Sequence, residues 1–405
     1  MALVGGVLAA CGGGGEAATT TSTDAAAATT TSTTAAADET TTSTAPACVA
    51  DDQLEAWSVE ARASQLIVLP VLEYDIEGLT PSIRNGVGGL IFVGHDPTPD
   101  DLRERLLAAA GDGADAAGRP IAMADVEGGV VQRMEGAVDD FPSPREQART
   151  MTAEEVEQLG ETVGAQMSAV GVTMDLAPVL DLDDRDGPSA SNPDGTRSFS
   201  IDPDTASTYG IAFAQGLRAA GVVPVVKHFP GIGGSTTNTD VGAAPSASID
   251  RLRQAGLRPF EDAIDAGLPA VMVANSTIPG LTDQPATVSA DAVQGLLRDE
   301  LGFDGLVVTD SLSAGAISDA GFSVPEAAAA AIAAGNDLIL FGSTLTPEET
   351  AKLRPDRVEA TRAAIVAAIA AAVADGTISH ERLDDAVSHV LAAKKTDACE
   401  VAVRS

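Results

Sequence analysis

The chain has 405 residues, 59 acidic and 24 basic, giving a formal net charge of −35. So acidic a balance excludes non-specific attraction to nucleic acid or anionic lipid, and it bears on solubility rather than on fold. Hydrophobic residues make up 44% of the chain but aromatics only 3%, so the interior must be aliphatic and helix-rich.

Residues 1–11, Met-Ala-Leu-Val-Gly-Gly-Val-Leu-Ala-Ala-Cys11, form an apolar stretch too short to span a bilayer. Leu8-Ala9-Ala10-Cys11 resembles the bacterial lipobox, whose cysteine is acylated after signal cleavage, although no Lys or Arg precedes the apolar run. Residues 12–47 are Gly-, Ala-, Thr- and Ser-rich without an apolar period, which reads as a flexible tether. Residues 48–405 are then the folded domain, held outside the cytoplasmic membrane through a lipid on Cys11. Cys48 and Cys399 stand at its two edges. In an oxidising compartment a disulfide between them would tie the domain ends together; two free thiols are the alternative.

From residue 65 short apolar runs alternate with longer Ala-rich helical patterns. Eight such runs occur: Gln65–Pro70, Gly89–Val93, Pro120–Asp125, Thr173–Pro178, Val223–His228, Ala270–Asn275, Leu306–Asp310 and Asp337–Phe341. Eight strands separated by helices predict a single-domain (β/α)8 TIM-type barrel, with the site at the C-terminal ends of the strands. A doubly wound open sheet is the competing architecture. The barrel accounts better for the polar residues that recur at run ends, among them Asp125, Asp175, Lys227, His228, Asn275 and Asp310. Beyond Phe341 the pattern predicts helices over about 357–374 and 378–391, the second capped by Ser379, with His380 and His389 in structural or solvent-facing roles.

Three segments offer clustered charge at loop positions. Val226-Lys-His-Phe-Pro-Gly231 places Lys227 and His228 at a strand end, where sugar hydroxyls can satisfy them. Ala124-Asp-Val-Glu-Gly-Gly-Val-Val-Gln-Arg133 and Asn192-Pro-Asp-Gly-Thr-Arg-Ser-Phe199 supply Asp125, Arg133 and Arg197. Each alone reads as a surface ion pair. Together, and with Val308-Thr-Asp310-Ser-Leu312, they resemble glycoside hydrolase family 3, and within it the short, single-domain β-N-acetylglucosaminidases, from about Ala56 to Lys395.

That resemblance implies that Asp310 attacks the anomeric carbon while Asp125, Arg133, Arg197, Lys227 and His228 hold the sugar hydroxyls. It also implies retention of configuration by double displacement. Asp175 and Asp181 fall where the family places supporting polar groups, and His95 reads as a loop-structuring residue. One departure matters. Single-domain members draw their general acid/base from a loop reading Asp-Ser-His; here Asn238 stands at the Asp position and Asp240 at the His position. Asp240 can serve as a carboxylic acid if burial raises its pKa, or Asn238-Thr-Asp240 can merely shape the loop.

Two functions from different classes follow: a retaining exo-glycosidase acting on terminal β-N-acetylglucosamine of peptidoglycan or chitin-type fragments, or a sugar-binding lipoprotein without turnover. β-Glucosidase-type specificity is a variant of the first. The expected partner is a carbohydrate, with no nucleic acid, membrane contact only through the lipid anchor, and a monomeric state. No cofactor is expected, and no metal-ligand spacing or phosphate-binding loop is evident along the chain.

Overall fold

The computed structural model describes residues 54–94, 96–111, 119–342 and 353–395. Cys11, the 12–47 tether, Cys48, His95 and Cys399 lie outside the described residues.

Eight parallel strands run in chain order: β1 (Ile67–Val71), β2 (Gly89–Phe92), β3 (Ile121–Ala124), β4 (Met174–Asp175), β5 (Val223–Phe229), β6 (Ala270–Val273), β7 (Leu306–Thr309) and β8 (Ile339–Leu340). Each pairs with its sequence neighbours. β8 returns to β1, with Ile67 opposite Ile339 and Val68 opposite Leu340, and it meets β7 through a parallel bridge between Val308 and Leu338. The sheet therefore closes on itself, as the barrel reading requires and an open sheet does not. Apart from the half-buried Val223, every strand residue is buried. Helices outside and packed side chains inside leave a parallel barrel strand no solvated face, which is why these strands read as continuous apolar runs. The ladders of β4 and β8 are only two residues long. Chain flanking β4 stays extended without regular pairing, and Val179 bridges to Lys227 on β5.

The helices that follow β3 and β4 fix the half of the barrel that carries most of the charged residues. The helix Ala153–Ala169 starts at a capping box in which the Thr152 and Glu155 side chains each bond the other's backbone N–H. It packs on the helix Pro203–Ala219 through glycines. A Cβ on Gly160 would stand 2.4 Å from the Phe213 carbonyl oxygen, and one on Gly216 would stand 2.0 Å from that of Glu157. Only residues without a side chain allow backbones that close.

The C-terminal helices span Pro355–Ala374 and His380–Ala393, within two residues of expectation, and the Ser379 hydroxyl accepts from Arg382 N at 3.0 Å. Arg382 and Arg298 both pair with the buried Asp337 at the entry to β8, and His389 lies 3.2 Å from the same carboxylate. Burial works against that charge, but His389, Arg298 and Arg382 hold its pKa below the usual carboxylate value. His389 is thus structural, as is His380, whose Nδ1 lies 3.5 Å from Arg62 Nη2. No helix among the described residues is long and apolar enough to cross a membrane.

Candidate active site

The chain leaving β3 turns at once into a small antiparallel hairpin, Val126–Gly128 with Val131–Gln132. Gly128 and Gly129 make its turn at φ +86° and +64°, and a Cβ on either would come within 2.6 Å of Phe141, Pro142 or Ser143. Successive residues of an extended chain point to opposite sides, so Val126 goes to the core while Asp125 and Glu127 share the other side. Beneath the hairpin, buried Asp175 accepts from Val126 N at 3.0 Å. Desolvation lifts its pKa well above the usual range. It supports the hairpin from below, in keeping with the supporting place that the family resemblance implied.

Lys227, on β5, is buried and places Nζ 2.7 Å from both Asp125 Oδ1 and Glu127 Oε1. Glu127 in turn accepts a two-pronged contact from Arg197, at 2.7 and 2.8 Å. Burial alone would raise the Glu127 pKa, yet Arg197 and Lys227 overcome it and hold the group at about 2. Desolvation likewise works against the Lys227 charge, but Asp125 and Glu127 keep its pKa above the ordinary lysine value. The result is a buried chain of alternating charges, in which each ion has a partner of opposite sign.

Arg197 rides on a long loop after β4, clamped by Arg145, whose guanidinium donates to the carbonyls of Asp183, Arg185 and Gly195 at 2.6–3.0 Å. Next to Lys227, His228 donates its backbone N–H to Asp181 Oδ2 at 3.0 Å, and its Nδ1 lies 2.7 Å from the same oxygen. The Lys227–His228 and Phe229–Pro230 peptides are cis. Asp181 also accepts from Ile232 N at 2.7 Å, so it fixes both the histidine and the turn beyond it.

Asp310, at the end of β7, donates its N–H to Val273 O at 3.0 Å, and its Oδ1 accepts from Ser311 N at 2.7 Å. The loop bearing Asp240 is stitched to the segment after Asp310: Gly315 N donates to Asp240 O and Ala316 N to Thr239 O. Asn238 shapes this loop by accepting from Asp240 N at 2.9 Å. The Asp240 residue is exposed to solvent, but its carboxyl is packed in by the pocket wall. That desolvation, reinforced by the negative charge of Asp310 and opposed by Arg197 and His228, raises its pKa to about 6.

Asp125, Arg133, Arg197, Lys227, His228, Asp240 and Asp310 thus line one cavity of about 180 Å³ at the C-terminal ends of the strands. Sequence reading singled out all of these residues as candidates, and the fold brings them together from five segments. A larger cavity of about 420 Å³ opens at the other end, beside Val223 and Leu306 at the starts of β5 and β7, and none of these residues lines it. Glu127 was not singled out, although its spacing of two from Asp125 is the signal that would place both on one side of a strand. Asp194 was also missed. It is wholly buried, and its pKa is raised well above the usual range by desolvation and by Asp181.

Barrel and pocket together define a class: a (β/α)8 protein with a compact, charged, sugar-sized site at the top of the barrel. The chain belongs to the family described as the glycosyl hydrolase family 3 N-terminal domain, which matches residues 77–393. It is 40% identical over 240 residues to the beta-hexosaminidase LpqI of Mycobacterium tuberculosis, a match covering 56% of this chain and 61% of that protein. A Pseudomonas aeruginosa beta-hexosaminidase is 35% identical over 281 residues, covering 68% of this chain and 81% of the relative. Among solved structures, the beta-N-acetylhexosaminidase of Beutenbergia cavernae superposes with a TM-score of 0.70 at 31% identity, covering 84% of this chain and 99% of that one.

Proposed function

We propose that this chain is a retaining β-N-acetylhexosaminidase that removes terminal β-N-acetylglucosamine, with Asp310 as nucleophile and Asp240 as general acid/base. The observation that carries this reading is the pairing of two carboxyls on one small pocket. One ends a barrel strand among cationic groups, and the other is lifted to a pKa of about 6 beside it. Two carboxyls whose surroundings differ in this way suit the two roles of a retaining mechanism.

In the first step an Asp310 carboxylate oxygen bonds to the anomeric carbon as the glycosidic C–O bond breaks, and protonated Asp240 gives its proton to the departing oxygen. In the second, the Asp240 carboxylate takes a proton from water, the water oxygen bonds to the anomeric carbon, and Asp310 is released. Asp125, Arg133, Arg197, Lys227 and His228 bind the sugar hydroxyls. Lys227 pairs with Asp125 and Glu127, Arg197 with Glu127, and His228 with Asp181, so these side chains are held in place before substrate arrives and little reorganisation is needed. The beta-hexosaminidase and beta-N-acetylhexosaminidase names of the relatives support the choice of N-acetylglucosamine.

In the same reading, Cys11 carries a lipid, residues 12–47 tether the domain, and Cys48 pairs with Cys399. A monomer working outside the membrane would meet peptidoglycan or chitin-type fragments there. The test is turnover of aryl β-glycosides of N-acetylglucosamine and of glucose by the purified protein and by Asp310→Asn. We expect hydrolysis of the first substrate, loss in the variant, and a β-configured first product by NMR. Absence of turnover on both aryl and natural substrates would defeat the reading.

A further inference from the structure

Asp181, Asp194 and His228 are 13 and 34 residues apart in the chain, so no ligand spacing announces them. The fold brings them together: one ligand atom from each lies within 4.8 Å of the others, and their exposures are 1%, 0% and 6%. Asp181 is well supplied with donors from His228 and Ile232. Asp194 is not. Neither of its carboxylate oxygens has a hydrogen-bond partner, although the side chain is fully buried and points into the cluster. Buried polar atoms without partners are uncommon and costly, and each calls for a missing donor or cation.

We propose that Asp181, Asp194 and His228 form a buried site for one divalent cation of the Zn²⁺ class, directly behind the sugar pocket. With an ion bound, two carboxylates and a neutral imidazole carry two negative charges, which a divalent cation balances. One nitrogen and two carboxylate oxygens are the donor set of zinc-type ions rather than of the all-oxygen Ca²⁺ or Mg²⁺ sites. A cation at about 2.0–2.2 Å from each ligand needs ligand atoms roughly 3.3–3.6 Å apart in a tetrahedron. The present spacing reaches that by a swing of Asp194, the ligand that nothing else holds, and a small widening of the 2.7 Å contact between His228 and Asp181. His228 also lines the sugar pocket, so an ion here would fix its ring and alter sugar binding. That last consequence rests on the glycosidase reading; the binding itself does not.

The test is direct titration of the metal-free full chain with ZnCl2 by calorimetry, with Co²⁺ absorption as a second probe. We expect one ion per chain and at least a tenfold weaker Kd in Asp194→Asn, with Asp194→Ser as a second variant should the first fold poorly. Asp385→Asn serves as control, because Asp337, Asp385 and His389 form another such cluster that arginines already neutralise. Zn²⁺ should also raise KM for the aryl glycoside in the wild type more than in Asp194→Asn. No binding, wild-type affinity in both Asp194 variants, loss in Asp385→Asn instead, or thiolate bands in the Co²⁺ spectrum would each overturn the proposal.

Discussion

The two sides of the pocket are built on different principles. The wall formed by β3, β5 and the Arg197 loop is an ion network in which Asp125, Lys227, Glu127 and Arg197 neutralise one another in succession. Glu127 and Lys227 there are buried. The Asp240 side is a solvent-exposed loop held by backbone bonds to Ala190, Gly315 and Ala316, and its carboxyl has a raised rather than a lowered pKa. A group that only orients a sugar can be locked in its charged form. A group proposed as acid/base has to titrate near the pH of its work, and desolvation, reinforced by the negative charges of Asp310 and Asp125, lifts Asp240 toward it.

The comparison can be broken from either side. Asp310→Asn should lower hydrolysis of every substrate by roughly 10⁴-fold or more while leaving the melting temperature close to wild type, as steady-state kinetics and calorimetry would show. Glu127→Gln should act through stability. Removing the centre of a buried charge network leaves Lys227 and Arg197 short of a partner and costs about 3–5 kcal/mol in denaturant unfolding. Its sign with pH is fixed by the depressed pKa. The stabilisation from ionised Glu127 is fully present above the ordinary glutamate pKa and is lost as pH falls toward about 2, so the variant should show a shallower acid limb there.

Asp240→Asn should lower kcat on natural glycosides by about 10²–10⁴-fold and affect activated aryl glycosides much less. Wild-type activity should fall as pH rises through about 6, where Asp240 loses its proton, and the variant should lack that limb. If position 240 carries the acid/base, the double substitution Asn238→Asp and Asp240→His should keep activity on natural glycosides with the limb moved toward histidine titration. The smallest effect is expected away from the pocket. Gly160→Ala, at the helix contact with Phe213, should cost about 1–3 kcal/mol by overpacking and leave the pH limb unchanged.

Much of the fold is legible in the chain because barrel strands buried on both faces leave uninterrupted aliphatic runs with polar residues at their C-terminal ends. The runs around Met174 and Ile339 read longer than their ladders, since an apolar stretch records burial rather than pairing. The Lys227-His228 pair and Asp310 stand out for the same reason: charged groups rarely end an apolar run without a task. Glu127 did not, because its importance comes from Arg197, 70 residues away, and Lys227, 100 residues away. Asp194 was equally hidden in a loop.

The linear sequence by itself determined the order of βα units and the strand ends that carry charge. Tertiary structure alone decided which carboxylate is locked ionised, which is lifted to about 6, and which is buried without a partner. Periodicity and motif are properties of neighbours along the chain. Desolvation and Coulomb energy depend on neighbours in space, and these exist only once the barrel has closed.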